Sequence, residues 1–288
     1  WENLFKAKSK LITRHLKKEG IAVLNIDDKS YDGLSKLTSN FVIYSQENLE
    51  QERRAAWMID LVTGSGLSYN LGLNFDNTSI RNVKVELDLI GDYNISNSLA
   101  AISACFLLDV DPHNSAKALS SFQTVEGRMQ VLQFQPYRVI VDFAHTPNAL
   151  QNALSSVKKD TKGKLIVVFG CAGQRDKHKR FEMGKIAGEL ADVTVITAED
   201  PRTEKLSDIN DEIERGWKSV NQNEKEFYRF DNENELTDSR LNAIKKALEL
   251  VKPGDTVIIT GKGHEESLCF GNTEYPWNDI VETKKLLK

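Results

Sequence analysis

The chain is short of cysteine, of net charge and of long apolar runs, and each shortage removes a class of protein. Its 288 residues hold three cysteines, Cys105, Cys171 and Cys269, which lie far apart and show no metal-ligand spacing. That usage fits a reducing compartment and argues against a disulfide scaffold or a structural zinc site. Thirty-eight basic side chains against 42 acidic ones leave a net charge of −4, so no global field exists to hold nucleic acid or an anionic membrane. Any polyanionic ligand must be held locally. No stretch approaches the roughly 18 apolar residues of a membrane span. With 40% hydrophobic and 28% charged residues, the composition is that of a soluble globular protein. There is neither an initiating Met nor a signal peptide before the helix-like sequence at Trp1, and the chain reads as the tail of something longer. Two phosphate-site signatures are missing as well. The turn at Gly170 and Gly173 does not match G-x-G-x-x-G, which speaks against a nicotinamide site, and G-x-x-x-x-G-K-[ST] occurs nowhere.

The length is enough for about two domains. Residues 2–18 place Leu4, Phe5, Leu11, Ile12 and Leu16 at three- and four-residue spacings, which predicts an amphipathic helix ending at Gly20. Lys8 falls inside its apolar stripe. Strand-like runs follow at 22–25, 41–45, 55–63 and 83–89, with turn-rich sequence such as Gly64-Ser65-Gly66 between them. Helical spacing then marks 94–108 and about 113–122. A boundary near Val125 divides the chain into domains of 1–124 and 125–288. Beyond it, strands at 139–143, 165–169, 193–197, near Tyr228 and at 256–260 alternate with helices at 148–157, 181–190, 209–220 and 236–251, and a last helix begins at about Asp279. The alternation predicts an α/β fold with a parallel sheet covered on both faces. In such sheets ligands bind outside the carboxyl ends of the strands.

The residues that look least like packing sit just after those ends. They form four polar loops: Asp142 to Pro147, Gly170 to Lys177, Glu199-Asp200-Pro201-Arg202, and Gly261-Lys262-Gly263-His264-Glu265. Each alone reads as a turn or a helix start; four on one predicted edge read as a binding rim. The basic run Arg175, Lys177, Lys179 and Arg180 stands where a helix begins, a place suited to a phosphate or a carboxylate. A solvated helix end is the plainer alternative. For Lys8 the plain reading is a snorkelling side chain with a wet ammonium. The sharper one is a buried lysine that reacts with carbon dioxide to a carbamate able to approach Mg²⁺.

At these residues the chain resembles the Mur ligase family, and within it the branch that adds the third amino acid of the peptidoglycan stem. The matching stretches keep the family's order: Glu2 to Lys8, Tyr93-Asn94-x-x-Asn97, Gly127-Arg128-Met129, Val141 to Pro147, Gly170 to Arg180, Asp200 to Glu204, and Gly261 to Glu265. Residues 25–90 match only in strand pattern. The resemblance implies the C-terminal part of a central ATP-binding domain over 1–124, without its phosphate loop, followed over 125–288 by a Rossmann-like, mostly parallel α/β domain. It implies ATP-dependent, ADP-forming ligation in the cytoplasm, on small-molecule substrates rather than nucleic acid or membrane. The carboxylate of UDP-N-acetylmuramoyl-L-alanyl-D-glutamate is phosphorylated, an amine attacks the acyl phosphate, and phosphate leaves.

By the same resemblance Lys8 takes the place of a carbamylated catalytic lysine beside Mg²⁺. Asn94 and Asn97 meet the adenine of ATP, Arg128 its phosphates, and Asp142 with His145 the ribose and base. Arg175, Glu199, Asp200, Pro201, Arg202, Gly261 and Glu265 hold the incoming amino acid. Diaminopimelate-adding enzymes typically read Asp-Asn-Pro-Arg where this chain has Glu199-Asp200-Pro201-Arg202; Arg202 favours meso-diaminopimelate, with its distal carboxylate, over lysine. The missing phosphate loop implies a fragment inactive by itself. Two other readings stand beside this one. A relative of the folylpolyglutamate or cyanophycin synthetases is disfavoured by Gly-Lys-Gly-His-Glu and Asp-Pro-Arg. A non-catalytic binding module that retains the fold is the reading the absent phosphate loop favours.

Overall fold

A computed structural model describes residues 2–62, 67–220, 225–231 and 238–288. The Gly64-Ser65-Gly66 turn, Thr63 at the end of the third expected strand and the first two residues of the helix expected over 236–251 lie outside the described residues. The chain divides into two compact units, Trp1–Gln123 and Thr124–Lys288.

The first unit is built on a five-stranded sheet in the order β1-β2-β3-β4-β5. Strands β1 (Ala22–Asn25), β2 (Phe41–Ser45) and β3 (Arg54–Leu61) run parallel, β4 (Leu67–Phe75) pairs antiparallel with β3, and β5 (Thr78–Leu87) pairs antiparallel with β4. Along β5, Val83, Val85 and Leu87 are buried while Lys84 and Glu86 are exposed, the period of two that puts alternate side chains on one face. That face is covered by α3 (Tyr93–Phe106) and α4 (Pro112–Ser120), whose Ile95, Leu99, Ile102 and Ala116 join Tyr69, Leu71 and the β5 residues in one core. Asp111 caps α4 by accepting from the His113 N–H at 2.8 Å, and Pro112 follows at the first helical position. A single turn of helix, α2 (Tyr31–Leu34), links β1 and β2. The amino-terminal helix is shorter than its periodicity predicts: α1 spans Glu2–Lys10 and continues as a π-helical turn over Leu11–His15. None of its residues is buried.

The second unit holds a six-stranded sheet in the order β10-β9-β8-β11-β7-β6. Five strands are parallel: β7 (Arg138–Val141), β8 (Leu165–Phe169), β9 (Val193–Ile196), β10 (Glu226–Arg229) and β11 (Thr256–Ile259). The edge strand β6 (Gln130–Gln133) is antiparallel. Val139 and Val141, Ile166 and Val168, Val193 and Val195, and Val257 and Ile259 point to one face, against Ala243, Ile244 and Ala247 of α8 (Asp238–Leu250) and Ile280 of α9 (Asp279–Leu286). The intervening Ile140, Val167, Thr194 and Ile258 face the other way and are buried too. Continuous burial of this kind belongs to parallel sheets with both faces covered. Helices α5 (Pro147–Asp160), α6 (His178–Leu190) and α7 (Leu206–Lys218) pack side by side in that order. A hairpin of β12 (Ser267–Phe270) and β13 (Thr273–Pro276) completes the unit. Among the described residues no helix is long and apolar enough to cross a membrane.

Candidate functional site

The carboxyl ends of β7, β8, β9 and β11 lie side by side because the strands are parallel neighbours, and the four polar loops issue from them. Together they line an open cleft of about 540 Å³. His145 comes from the loop after β7, Arg175 from that after β8 and Lys179 from the first turn of the helix that follows it, Glu199, Asp200 and Arg202 from the loop after β9, and Glu265 from that after β11. The cleft thus mixes cations and carboxylates at one place, as a zwitterionic ligand requires.

Each loop is pinned by its own polar groups. Both carboxylate oxygens of buried Asp142 accept backbone N–H groups, Oδ1 from Met129 and Oδ2 from Ala144, each at 2.8 Å. They hold the Gly127-Arg128-Met129 turn against the start of the next loop. Gly127 has φ +67°, and a β-carbon there would lie 2.2 Å from the His264 nitrogen, so only glycine lets these two loops touch. Exposed Arg128 stacks its guanidinium 4.3 Å from the centre of the Phe143 ring, which also neighbours the rings of His145 and His264. The His145 carbonyl accepts from Lys179 Nζ at 2.9 Å. Thr146 caps α5, and Pro147 opens it.

The Asp-Pro-Arg loop is held most firmly. Arg202 adopts φ +53°, a left-handed conformation uncommon outside glycine. Its backbone is clamped on both sides: its N–H donates to Cys269 O at 3.0 Å and its carbonyl accepts from Gly271 N at 2.7 Å. Its Nη1 donates to Gly173 O at 3.1 Å and its Nη2 lies 3.5 Å from Asp200 Oδ2. A β-carbon at Gly173 would sit 1.9 Å from Pro201 O, which explains the glycine. Asp200 Oδ1 accepts from Lys262 Nζ at 2.8 Å and from Cys269 N at 3.0 Å. Lys262 Nζ is also 2.6 Å from Glu265 Oε2.

Glu199 differs from its neighbours. It is 6% exposed, and among the described residues its Oε2 has no hydrogen-bond partner. Burial pushes its carboxyl from an ordinary 4.5 up to about 7, against the pull of Lys179, Arg240 and Lys262, while Asp200 adds to the push. Beneath it, Arg240 of α8 is fully buried and donates to Ala198 O and Thr260 O, each at 2.9 Å, and to both oxygens of Asp279 at 2.8 and 2.6 Å. One guanidinium thereby ties the ends of β9 and β11 to the helices behind them, fixing where Glu199 and Gly261 stand.

Several sequence expectations fare differently. Lys8 is exposed, not buried. The stripe it sits on is only partly covered within its unit: Leu4 is 58% and Leu11 67% exposed, while Phe5, Ile12 and Leu16 are half-buried, Phe5 close against Gly33 and Leu16 against Gly20. Of the basic run, Arg180 is fully buried and paired with Glu204 and Glu212, and Lys177 pairs with Glu204. Only Arg175 and Lys179 of the four line the cleft. Asn94 and Asn97 sit in the first turns of α3, where Asn97 Nδ2 donates to Asn94 Oδ1 at 3.0 Å and Asn94 Nδ2 to Ile90 O at 2.9 Å. Pro201 and Gly261, at φ +108°, shape the backbone of their loops. The sequence places Lys262 in its rim loop without assigning it a role and does not mark the Arg240–Asp279 pair, since nothing local distinguishes a buried loop lysine or helical arginine from a solvated one. Among the described residues no group of three or more His, Cys, Asp or Glu side chains gathers as a metal site.

Residues 1–105 match the Mur ligase middle domain and residues 127–263 the Mur ligase glutamate ligase domain. The chain is 35% identical, over 289 residues and 99% of its length, to a UDP-N-acetylmuramyl-tripeptide synthetase of Deinococcus radiodurans. It is 34% identical over 290 residues, again 99% of its length, to a UDP-N-acetylmuramoyl-L-alanyl-D-glutamate–2,6-diaminopimelate ligase of Trichormus variabilis. It covers 55% of each, so it spans about half the length of these relatives. A solved 2,6-diaminopimelate ligase structure of the same description superposes with a TM-score of 0.57 at 27% identity, over 99% of this chain and 56% of that one. A pseudomurein peptide ligase type C from Methanothermus fervidus shares the fold at 18% identity, with a TM-score of 0.67 over 99% of this chain and 59% of that one. Domain models over both units and identity to two ligases along 99% of this chain agree with the α/β architecture: the chain belongs to the Mur ligase family.

Proposed function

We propose that the chain is the ATP- and amino-acid-binding part of a cytoplasmic, ATP-dependent, ADP-forming ligase that joins meso-diaminopimelate to UDP-N-acetylmuramoyl-L-alanyl-D-glutamate. The observation that carries the reading is the cleft at the strand ends, which presents Arg202 and Arg175 together with Glu199 and Glu265. A diamino dicarboxylic acid needs both kinds of partner. A guanidinium pairs bidentately with a carboxylate, and the buried, unpartnered Oε2 of Glu199 suits an ammonium. The names of the relatives in Deinococcus radiodurans and Trichormus variabilis point the same way.

In this reading Arg202 and Arg175 hold carboxylates of the amino acid, Glu199 and Glu265 hold its ammonium, and Asp200, Pro201 and Gly261 shape the loops that present them. The cleft orients the amine for attack on an acyl phosphate, and the cations near it favour the negative charge that gathers as phosphate leaves. ATP is the phosphoryl donor. Of the residues that the family resemblance gives to it, Arg128 on its Phe143 platform, Asp142 and His145 lie in the second unit. Mg²⁺ and a carbamylated Lys8 belong to the family resemblance; the described residues offer Lys8 as an exposed side chain without a carboxylate cluster, and do not by themselves fit that metal.

Calorimetric titration of the 288-residue chain tests the reading. Saturable binding of meso-diaminopimelate, at least several-fold tighter than L-lysine, is expected. Equal or reversed affinities would remove the substrate assignment.

A further inference from the structure

Lys262 reaches the cleft's chemistry without lining its open surface. Only 1% of it is exposed, and its Nζ sits between two carboxylates, 2.8 Å from Asp200 Oδ1 and 2.6 Å from Glu265 Oε2. Asp200 passes the contact on, since its Oδ1 also accepts the Cys269 N–H and its Oδ2 faces Arg202 Nη2 at 3.5 Å. One buried ammonium therefore connects the loop after β9, the loop after β11 and the hairpin strand β12. A buried cation persists only where carboxylates pair with it, and its removal leaves those carboxylates uncompensated.

We propose that Lys262 is a positioning residue that sets the charge selectivity of the cleft: it fixes Asp200 and Glu265 and offsets their charge, so that a side chain bearing a carboxylate is accepted beside Arg202. The proposal rests on the amino-acid reading of the cleft given above. Charged side chains reach the cleft from the segments that follow β8, β9 and β11. Arg175, Lys179 and Arg202 are cationic, and Glu199, Asp200, Glu265 and Asp176 are acidic. Lys262 offsets two of these carboxylates directly, Asp200 at 2.8 Å and Glu265 at 2.6 Å. Without it Asp200 keeps Arg202 at 3.5 Å and Glu265 loses the ammonium beside it. A ligand whose distal end is a lone ammonium then gains relative to one whose distal end carries both an ammonium and a carboxylate.

The test measures binding of meso-diaminopimelate and of L-lysine to the wild-type chain, Lys262→Met and Lys262→Arg by calorimetry, with thermal unfolding of each. Lys262→Met is expected to weaken meso-diaminopimelate about tenfold more than it weakens L-lysine, and Lys262→Arg, which keeps the charge, to restore most of that ratio. A purely structural role would weaken both ligands alike, and an unchanged ratio overturns the proposal. Should Lys262→Met fail to fold, Lys262→Gln, which keeps two N–H donors without the charge, is read in its place. The positioning itself is read without any amino acid. In nuclear magnetic resonance spectra the Lys262 ammonium is expected to give a slowly exchanging signal with Overhauser contacts to the side-chain protons of both Asp200 and Glu265. Loss of either contact in the wild-type chain overturns the proposal. A wild-type chain that binds neither amino acid sinks the reading of the cleft instead, and the Overhauser contacts still decide what Lys262 holds.

Discussion

Glu199 shows how a single residue can trade stability for a binding group. Its carboxyl is raised to about 7 chiefly by burial, so the folded chain holds this proton more tightly than the unfolded chain does. The resulting contribution to stability is complete below the unfolded value of about 4.5 and is lost as pH rises through the folded value of about 7. At about 1.4 kcal/mol per pH unit the loss comes to about 3 kcal/mol. Glu199→Gln copies the protonated form and escapes it. Urea unfolding is expected to show the variant's advantage growing by about that amount between pH 4.5 and pH 8, together with a loss of meso-diaminopimelate affinity. A pH-independent difference would mean that Glu199 does not titrate in this range. Lys8 and Arg180 carry the complementary lesson. Periodicity put Lys8 on an apolar stripe and a helix start marked Arg180 for the ligand, yet Lys8 is exposed and Arg180 is fully buried in an ion pair with Glu204. Spacing shows which face of a helix is apolar; it does not show whether anything covers that face.

Among the elements, α8 and α9 do more for the site than their distance from it suggests. Arg240 donates to the carbonyls that end β9 and β11, and Asp279 holds Arg240 in turn with help from Trp277 Nε1 at 2.7 Å. Arg240→Met leaves Asp279 buried without its cation and frees both strand ends. A loss of about 3–5 kcal/mol is expected in urea unfolding, with a smaller loss when Asp279→Leu accompanies it. A single-variant effect under about 1 kcal/mol would show that the pair does not brace the loops. The central strands of the second unit were readable because runs such as Leu165–Phe169 are apolar throughout, and the turn residues that follow them are polar. β4, β6 and the β12–β13 hairpin were not. In Leu67–Phe75 the asparagines and a glycine break the alternation, and the short edge and hairpin strands bury too little to leave a pattern.

For the whole molecule the absence of a G-x-x-x-x-G-K-[ST] segment carries the clearest consequence. The 288-residue chain, given ATP and Mg²⁺, is expected to release no phosphate above the buffer rate. Mg²⁺-dependent turnover would reveal a phosphate site of another kind. The even balance of charge fits a protein that meets its anionic ligands through a few cations on one sheet edge rather than through a general field.

By itself the sequence determined the α/β class of the second unit, the alternation of its five parallel strands with helices along the chain, and the four loops that form the rim. Those features follow from residues close together in the chain: alternation of period, apolar runs, and polar turns at strand ends. The tertiary structure alone decided that Lys262 and Arg240 are buried and paired, that Glu199 keeps an oxygen without a partner, and that Lys8 stands in the open. Each of those outcomes depends on which residues, distant in sequence, arrive to cover or to neutralise a charge, and desolvation and pairing act only once they are there.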